Sequence, residues 1–173
     1  MFWYFPKTIL LTIKSLTVVF FLLGSSLVTA ENSIYDVRAL VSEYSKAWSS
    51  RDVEKIIALH SSQTEFRLFM SGEKPAVGKP AVKAAFEKIL KSNPEYSSLV
   101  QDVKFGDGFV YVRYQMVMGK DSVSDVSGVK YVPVAGEYVV DAVDYIEFSA
   151  GLVSKKHTFI DLKKILENSR VDS

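Results

Sequence analysis

Asp144 is the residue of this sequence whose type and setting best suit chemistry. It lies in residues 136–161, where two runs of β-forming residues flank the turn Ser149-Ala150-Gly151 and predict a hairpin. Alternate side chains of a strand point to one face. The other side chains on the face of Asp144 are apolar: Val140, Ala142, Ile146 and Phe148. A carboxylate in such a row is costly unless it is paired, hydrogen-bonded or protonated. We therefore expect Asp144 to line a pocket as an acid, a base or a hydrogen-bond donor, with a paired structural carboxylate as the alternative.

The first predicted helix supplies a second polar group, the hydroxyl of Tyr44. Apolar side chains recur along this helix at three- and four-residue spacing and form a stripe facing the sheet. The stripe comprises Ile34, Val37, Leu40, Val41, Tyr44, Ala47 and Trp48. Buried tyrosines usually find a partner for the hydroxyl. Tyr44 is therefore expected either to bond a ligand or Asp144, or to pack in the core.

Strand side chains are predicted to complete the pocket. Alternation along Phe109–Met118 places Val110, Val112, Tyr114, Met116 and Met118 on one face. In the last strand Lys156 and Thr158 are expected to point inward with Asp144, and Val153 and His157 outward. Lys156 is a base if desolvated, whereas a lysine at a pocket mouth usually extends to water. The expected ligand-binding residues are Trp48, Leu68, Val112, Tyr114, Met116, Phe148 and Lys156.

The predicted elements are three helices, with a short strand before the third, followed by four longer strands. Ser33 and Asp52 are expected to begin the first two helices, and Pro80 lies near the start of the third, which ends at Asn93-Pro94. The predicted strands span residues 64–70, 98–105, 109–118 and the hairpin. Residues 119–135 form a mobile loop or a hairpin arm. Helices and strands segregated in sequence indicate an α+β fold, in which helices cover a curved sheet around a cavity.

Composition narrows the classes of partner. The chain has 173 residues, no cysteine and two histidines, which argues against disulfides and against a zinc site. His60 is expected to end the second helix, where a cation suits the helix dipole. The balanced charge argues against nucleic acid as a partner. No feature of the sequence indicates a cofactor.

Residues 1–30 have the pattern of an export signal. Lys7 and Lys14 are the only charges there, an apolar core follows, and Val28-Thr29-Ala30 fits a small-x-small cleavage site. An uncleaved membrane anchor is the alternative. We therefore expect a secreted or periplasmic protein that contacts the membrane only through this segment. A single domain would span residues 31–162, and a polar tail residues 163–173.

Three stretches resemble the nuclear-transport-factor-2-like superfamily and its SnoaL-like branch. They are ALVSEYSKAWSSRD from Ala39, VGKPAV from Val77, and VVDAVD from Val139 with Phe148 and Gly151 after it. The last is similar to the late hairpin of ketosteroid isomerases. The resemblance covers residues 34–161. It implies a cone-shaped α+β fold with three N-terminal helices on a mostly antiparallel sheet, and a homodimer formed through the outer sheet face.

The resemblance also implies roles for two residues. Tyr44 falls at the oxyanion-hole tyrosine of the isomerases, and Asp144 at their second donor, a neutral carboxylic acid. Leu68 falls at the position of their general base, and leucine cannot accept a proton. In place of the Arg-x-Asp of limonene-epoxide hydrolases, this chain has Arg113-x-Gln115. Neither mechanism is complete.

Two functions remain open from the sequence. In the first, the domain binds a small hydrophobic molecule and catalyses cofactor-free isomerisation, cyclisation or hydration at a carbonyl or enol, with Asp144 or a water as base. In the second, it is a non-catalytic ligand-binding or protein-interaction module of the cell envelope. The pair of Tyr44 and Asp144 favours the enzyme, and Leu68 favours the module.

Overall fold

A six-stranded curved sheet, with helices packed against it, forms the body of the protein. The computed structural model describes residues 28–70 and 72–172, with side chains from Val37 onward. The helices are α1 (Val28–Ser49), α2 (Val53–Ala58), α3 (Lys79–Ser92) and α4 (Leu162–Asn168). The strands are β1 (His60–Leu68), β2 (Ala76–Val77), β3 (Ser97–Phe105), β4 (Phe109–Met118), β5 (Ser124–Val126), β6 (Val129–Pro133), β7 (Tyr138–Ser149), β8 (Leu152–Ile160) and β9 (Ser169–Val171).

The topology confirms the predicted α+β class. The large sheet has the strand order β2-β1-β8-β7-β4-β3, and β5, β6 and β9 form a small second sheet. Among the pairs of the described chain, only β1 and β8 run parallel. Helix α3 packs on β1, and α1 contacts β3 and β4. The sheet and these helices therefore enclose a space between them.

Local sequence signals account for most helix ends. The Asp52 carboxylate accepts a hydrogen bond from the backbone N–H of Lys55 and caps α2. Pro80 lies in the first turn of α3, and Gly78 before it has a φ of 83°, which favours glycine. The prediction for α1 was wrong, because the helix begins at Val28 and runs through Ser33. The intervening Ala30 and Glu31 are good helix formers, so no break is required there. Residues 1–27 of the expected export signal lie outside the described part of the chain.

The β7–β8 hairpin carries the predicted alternation with one irregularity. Its turn residues Ala150 and Gly151 have φ angles of 49° and 75°, as a tight two-residue hairpin turn requires. A register shift lies between Glu147 and Phe148, opposite an extra residue in β8. Val153, expected to point outward, is consequently buried, and its side chain is 1% exposed. Beyond the shift, Lys156 and Thr158 point inward as predicted.

Two segments and one residue differ from their predicted structure or resolve an open alternative: residues 119–135, the C-terminal segment and His60. Residues 119–135 contain the β5–β6 hairpin, so the arm, not the loop, is observed. The C-terminal segment, expected to be a polar tail, forms α4 and β9, and Ile165 of α4 is fully buried. Helix α4 has only seven residues, so its apolar positions are too few to predict from the sequence that one face of the helix is buried. His60 does not end a helix; it begins β1 and is fully buried.

Arg51 joins α2 to the end of α3. Its guanidinium donates to the backbone carbonyls of Leu90 at 2.9 Å and Asn93 at 3.1 Å, which are groups that the helix end leaves unpaired. It also reaches the carbonyl of Tyr96 at 3.4 Å. Arg51 thereby holds the loop that leads into β3.

Within the described part of the chain, no helix is both long and apolar enough to cross a membrane.

Candidate functional site

A cavity of about 180 Å³ lies between α1, α3 and the inner face of the sheet. Its wall is mostly apolar, with a few polar groups. Eight residues predicted from the sequence line it: Tyr44, Trp48, Leu68, Val112, Tyr114, Met116, Asp144 and Lys156. The prediction for Phe148 was wrong. This side chain lies outside the cavity and packs against the core around Phe86, because it lies beyond the register shift, at the turn end of the hairpin.

Asp144 accepts three hydrogen bonds at the cavity wall. Thr158 Oγ1 donates to Asp144 Oδ1 at 2.7 Å, and the Tyr114 hydroxyl donates to the same oxygen at 3.3 Å. Lys156 Nζ donates to Asp144 Oδ2 in an ion pair. Asp144 is 9% exposed and Lys156 4%. The structure therefore presents Asp144 as an acceptor, where the resemblance implied a donor.

The Lys156 ammonium is held in an environment that disfavours its charge. Burial lowers the pKa of Lys156, and the neighbouring charge and hydrogen bond of Asp144 oppose that shift. The Nζ atom also lies 5.5 Å from the ring centroid of Trp48, within the range of a cation–π contact. The lysine thus remains inside the cavity wall instead of extending to water.

Tyr44 bonds a buried histidine, not Asp144. Its hydroxyl lies 2.9 Å from His60 Nε2, and His60 Nδ1 lies 2.8 Å from Thr64 Oγ1. Burial, with the positive charges of Lys156 and Lys79, lowers the pKa of His60 to about 3. The imidazole is therefore neutral at physiological pH, and the expectation of a cation at this position was wrong. Tyr44 and Asp144 still line the same cavity.

Three tyrosines give the cavity a set of neutral hydroxyl groups. Burial raises the pKa values of Tyr44 and Tyr114 well above the usual range, and the charge of Asp144 adds to both shifts. Burial also raises the pKa of Tyr96 to about 12. All three phenols consequently keep their protons at neutral pH. Tyr114 donates its proton to Asp144, whereas Tyr44 and Tyr96 can act as donors to other groups.

Two buried polar atoms of the cavity residues lack a formed hydrogen bond. The indole N–H of Trp48 is directed toward the Tyr44 hydroxyl and lowers the pKa of that group, yet its geometry falls short of a hydrogen bond. The side-chain oxygen of Asn93 likewise has no partner among the described residues. Unpaired buried polar atoms are rare in proteins.

Sequence reasoning missed His60, Thr64 and Tyr96 as groups near the site. His60 and Thr64 are four residues apart, so the two-residue period of a strand places them on one face; starting β1 at residue 64 hid this signal. Tyr96 follows the end of α3 in a segment without periodicity. In the described ranges 28–70 and 72–172, no group of three His, Asp or Glu side chains is arranged to hold a metal ion.

Comparisons with known proteins agree with this architecture. The sequence matches the model of the SnoaL-like domain family over residues 41–155. Similar solved structures include a proposed SnoaL-like polyketide cyclase from Jannaschia sp. CCS1, 16% identical over 77% of this chain and 90% of that chain, with a TM-score of 0.63. AclR, a proposed hydroxylase from Streptomyces galilaeus, is 20% identical over 78% of this chain and 85% of its own, with a TM-score of 0.61.

A third similar structure is that of a proposed ketosteroid isomerase from Kribbella flavida DSM 17836. It is 16% identical over 74% of this chain and 79% of that chain, with a TM-score of 0.53. At these identities the likeness shows the fold alone. A comparison with curated protein sequences finds no match. The family match spans 115 of the 173 residues, and the chain therefore belongs to the SnoaL-like family within the nuclear-transport-factor-2-like fold.

Proposed function

We propose that this protein binds one small, largely apolar molecule with a carbonyl or enol oxygen and catalyses cofactor-free proton transfer on it. The observation that carries the proposal is the polar cluster of Asp144, Lys156, Tyr114 and Thr158 in the wall of a mostly apolar cavity. Buried charges in a cleft are typical of catalytic sites. Because Asp144 and Lys156 neutralise each other, the site suits a neutral ligand.

The cavity volume limits the size of the ligand. An apolar cavity of about 150 Å³ in another protein holds one benzene molecule, and the cavity here measures about 180 Å³. A molecule with one ring and a short substituent would fill it. A fused system of several rings would exceed it unless the walls moved. We therefore propose a single-ring ketone, enone or phenol as the ligand class.

The chemistry proposed is enolisation. Asp144 takes the proton from the carbon next to the carbonyl group, the C–H electron pair forms a C=C bond, and the carbonyl π electrons move to oxygen. Hydroxyl and ammonium donors at the wall, those of Tyr44 and Lys156, stabilise the charge that develops there. Returning the proton to a different carbon completes an isomerisation. This scheme needs no base at Leu68.

Non-catalytic binding is the second candidate, and two observations favour it. Leu68 lines the cavity where the isomerases carry a base. Asp144 already accepts three hydrogen bonds, so both of its carboxylate oxygens are occupied by groups of the protein. A binding module of the cell envelope would use the same cavity and retain its ligand unchanged.

One experiment separates these candidates. Trp48 lines the cavity, and the chain has one further tryptophan, at position 3. In a Trp3→Phe background, the fluorescence of Trp48 reports binding of cyclohexanone, cyclohex-2-enone or phenol. Proton NMR in D2O then reports exchange at the carbons next to the cyclohexanone carbonyl. Binding with accelerated exchange supports the enzyme, binding without it supports the module, and neither signal contradicts both.

Asp144→Asn tests the assigned base. It should retain binding and lower exchange by about a hundredfold or more, the usual contribution of a general base. Glu147→Gln is the matched control, since Glu147 lies on the opposite face of β7 in a similar pair with Lys155, 3.1 Å away. Equal exchange rates in the two variants would remove Asp144 from the mechanism.

We also propose that the protein is exported and forms a homodimer through the outer face of the sheet. Large side chains are exposed on that face, including Tyr111 at 46% and Phe159 at 43%. Sedimentation of the purified protein tests the dimer, with Phe159→Glu expected to yield monomers. N-terminal sequencing of protein recovered from the cell envelope or the medium tests cleavage after Ala30.

A further inference from the structure

We propose that Lys156 is a covalent site, at which the Nζ amine forms an imine with a small aldehyde or ketone held in the cavity. This goes beyond the enolisation proposed above, in which Lys156 only donates a hydrogen bond. The proposal concerns the same cavity, but it makes a separate prediction, a bond between the protein and a carbonyl carbon.

The position of Lys156 sets it apart from the other described lysines. Among the described lysines, Lys156 is the one that is buried, with 4% of its surface exposed. The side chain of Lys155, the preceding residue, is 33% exposed. Its Nζ atom lies among cavity-lining residues, in contact with Asp144 Oδ2 and 5.5 Å from the centroid of Trp48. An amine in this place meets whatever enters the cavity.

The surroundings also provide a way to free the amine. A lysine becomes nucleophilic when desolvation favours its uncharged form, and burial lowers the pKa of Lys156. The proton has a direct destination, because Nζ already donates to Asp144 Oδ2. In a mostly apolar cavity, a neutral amine beside a neutral carboxylic acid avoids the energy of two buried charges.

The reaction balances with these groups alone. The ammonium gives one proton to Asp144, and the amine lone pair attacks the carbonyl carbon while the π electrons move to oxygen. The oxygen takes up the proton that the nitrogen loses and becomes a hydroxyl group. Asp144 then returns its proton to this hydroxyl, which leaves as water while the C=N bond forms. The products are a protonated imine, a carboxylate and one water molecule, so that charge and atoms are conserved.

The paired carboxylate would also stabilise the product. A protonated imine carries the same positive charge as the ammonium it replaces, and Asp144 remains beside it with the Thr158 and Tyr114 hydroxyls in place. The imine is a stronger electron sink than the carbonyl group from which it forms. Asp144 would then act on a C–H bond that is more acidic than the one beside the free carbonyl group.

Reductive trapping tests the proposal. The full chain is incubated with benzaldehyde and sodium cyanoborohydride near neutral pH, and peptide mass spectrometry measures benzyl labelling at each lysine. Lys156 should be labelled faster than Lys163, because burial lowers the pKa of Lys156 and leaves more of its amine uncharged. Lys163 is the reference for an ordinary amine, since its side chain is 83% exposed.

One variant serves as the control. Lys155→Arg removes the neighbouring amine on the outer face and should leave labelling of Lys156 unchanged. If Lys156 stays unlabelled while Lys155 and Lys163 react, the imine proposal is wrong. Binding and exchange of cyclohexanone would then still decide the proposed function independently.

Discussion

Removing one partner of the buried ion pair should destabilise the fold strongly. Lys156→Met takes away the ammonium and leaves the Asp144 carboxylate 9% exposed, with hydrogen bonds from Thr158 and Tyr114. Loss of one member of a buried pair typically costs about 3–5 kcal/mol of the free energy of unfolding. The two remaining hydroxyl donors offset part of the uncompensated charge. We expect a loss at the lower end of this range, about 3 kcal/mol.

The outer face of the same hairpin offers a matched pair. Lys155 Nζ lies 3.1 Å from Glu147 Oε1, and both side chains are 33% exposed. Exposed pairs contribute about 0–1 kcal/mol, so Lys155→Met should change stability by no more than that. The two variants make the same substitution in adjacent residues of one strand, and they differ in burial.

Urea unfolding followed by circular dichroism measures both variants. The double variant Lys156→Met/Asp144→Leu should recover most of the lost stability, because an apolar pair of similar volume avoids the desolvation of two charges. If Lys156→Met and Lys155→Met lose equal stability at unchanged m-values, the inner pair is not desolvated. Both the proposed base and the proposed imine would then lose their physical basis.

Three further predictions concern residues that support the site. The folded pKa of His60, about 3, lies below its unfolded value of 6.5, so the unfolded state binds more protons between these two pH values. The free energy of unfolding should therefore fall by up to about 5 kcal/mol as the pH drops from 6.5 to 3. Urea midpoints measured over this pH range should depend less on pH in His60→Gln than in the parent protein. Arg51→Ala removes a charged donor from two helix-end carbonyls and should cost about 2 kcal/mol by thermal unfolding; no loss would show that water replaces it. Ile165→Ala should cost about 2–5 kcal/mol, since the residue is fully buried, against about 0.5 kcal/mol for the exposed Leu166→Ala; equal losses would contradict the docking of α4.

Strand periodicity predicted the inward face of β7 and β4 from the sequence, because alternation is a local property. Alternation also placed Lys156 and Thr158 on one face of β8, but it could not establish which face of β8 lies beside Asp144. A two-residue turn without a bulge would pair Asp144 with His157. The shift between Glu147 and Phe148 instead aligns Asp144 with Thr158. Such an extra residue leaves no mark in composition or spacing, so the ion pair became visible only in the structure.

The bond between Tyr44 and His60 was beyond sequence reasoning for a different reason. Their separation of 16 residues crosses a helix, a turn and the start of a strand, and no local pattern reports such a contact. The lowered pKa of His60 has the same origin, since it depends on burial beneath α3 and on Lys156 of β8, which lies beside β1 in the sheet but far from it in sequence. A histidine that looks like a solvated helix end in the sequence is a neutral hydrogen-bonding group in the fold.

The neutral state of His60 gives the Tyr44 hydroxyl two possible orientations. A neutral imidazole has one donor and one acceptor nitrogen, and each ring nitrogen of His60 meets a hydroxyl that can serve in either role. If His60 Nε2 accepts, Tyr44 presents lone pairs to the cavity; if Nε2 donates, Tyr44 presents its proton. A ketone oxygen requires a donor, whereas an enol hydroxyl can also use an acceptor. The hydrogen-bonded chain of Thr64, His60 and Tyr44 therefore suits both the keto and the enol form of the ligand proposed above, whereas a fixed donor such as the Trp48 N–H offers no acceptor to an enol hydroxyl.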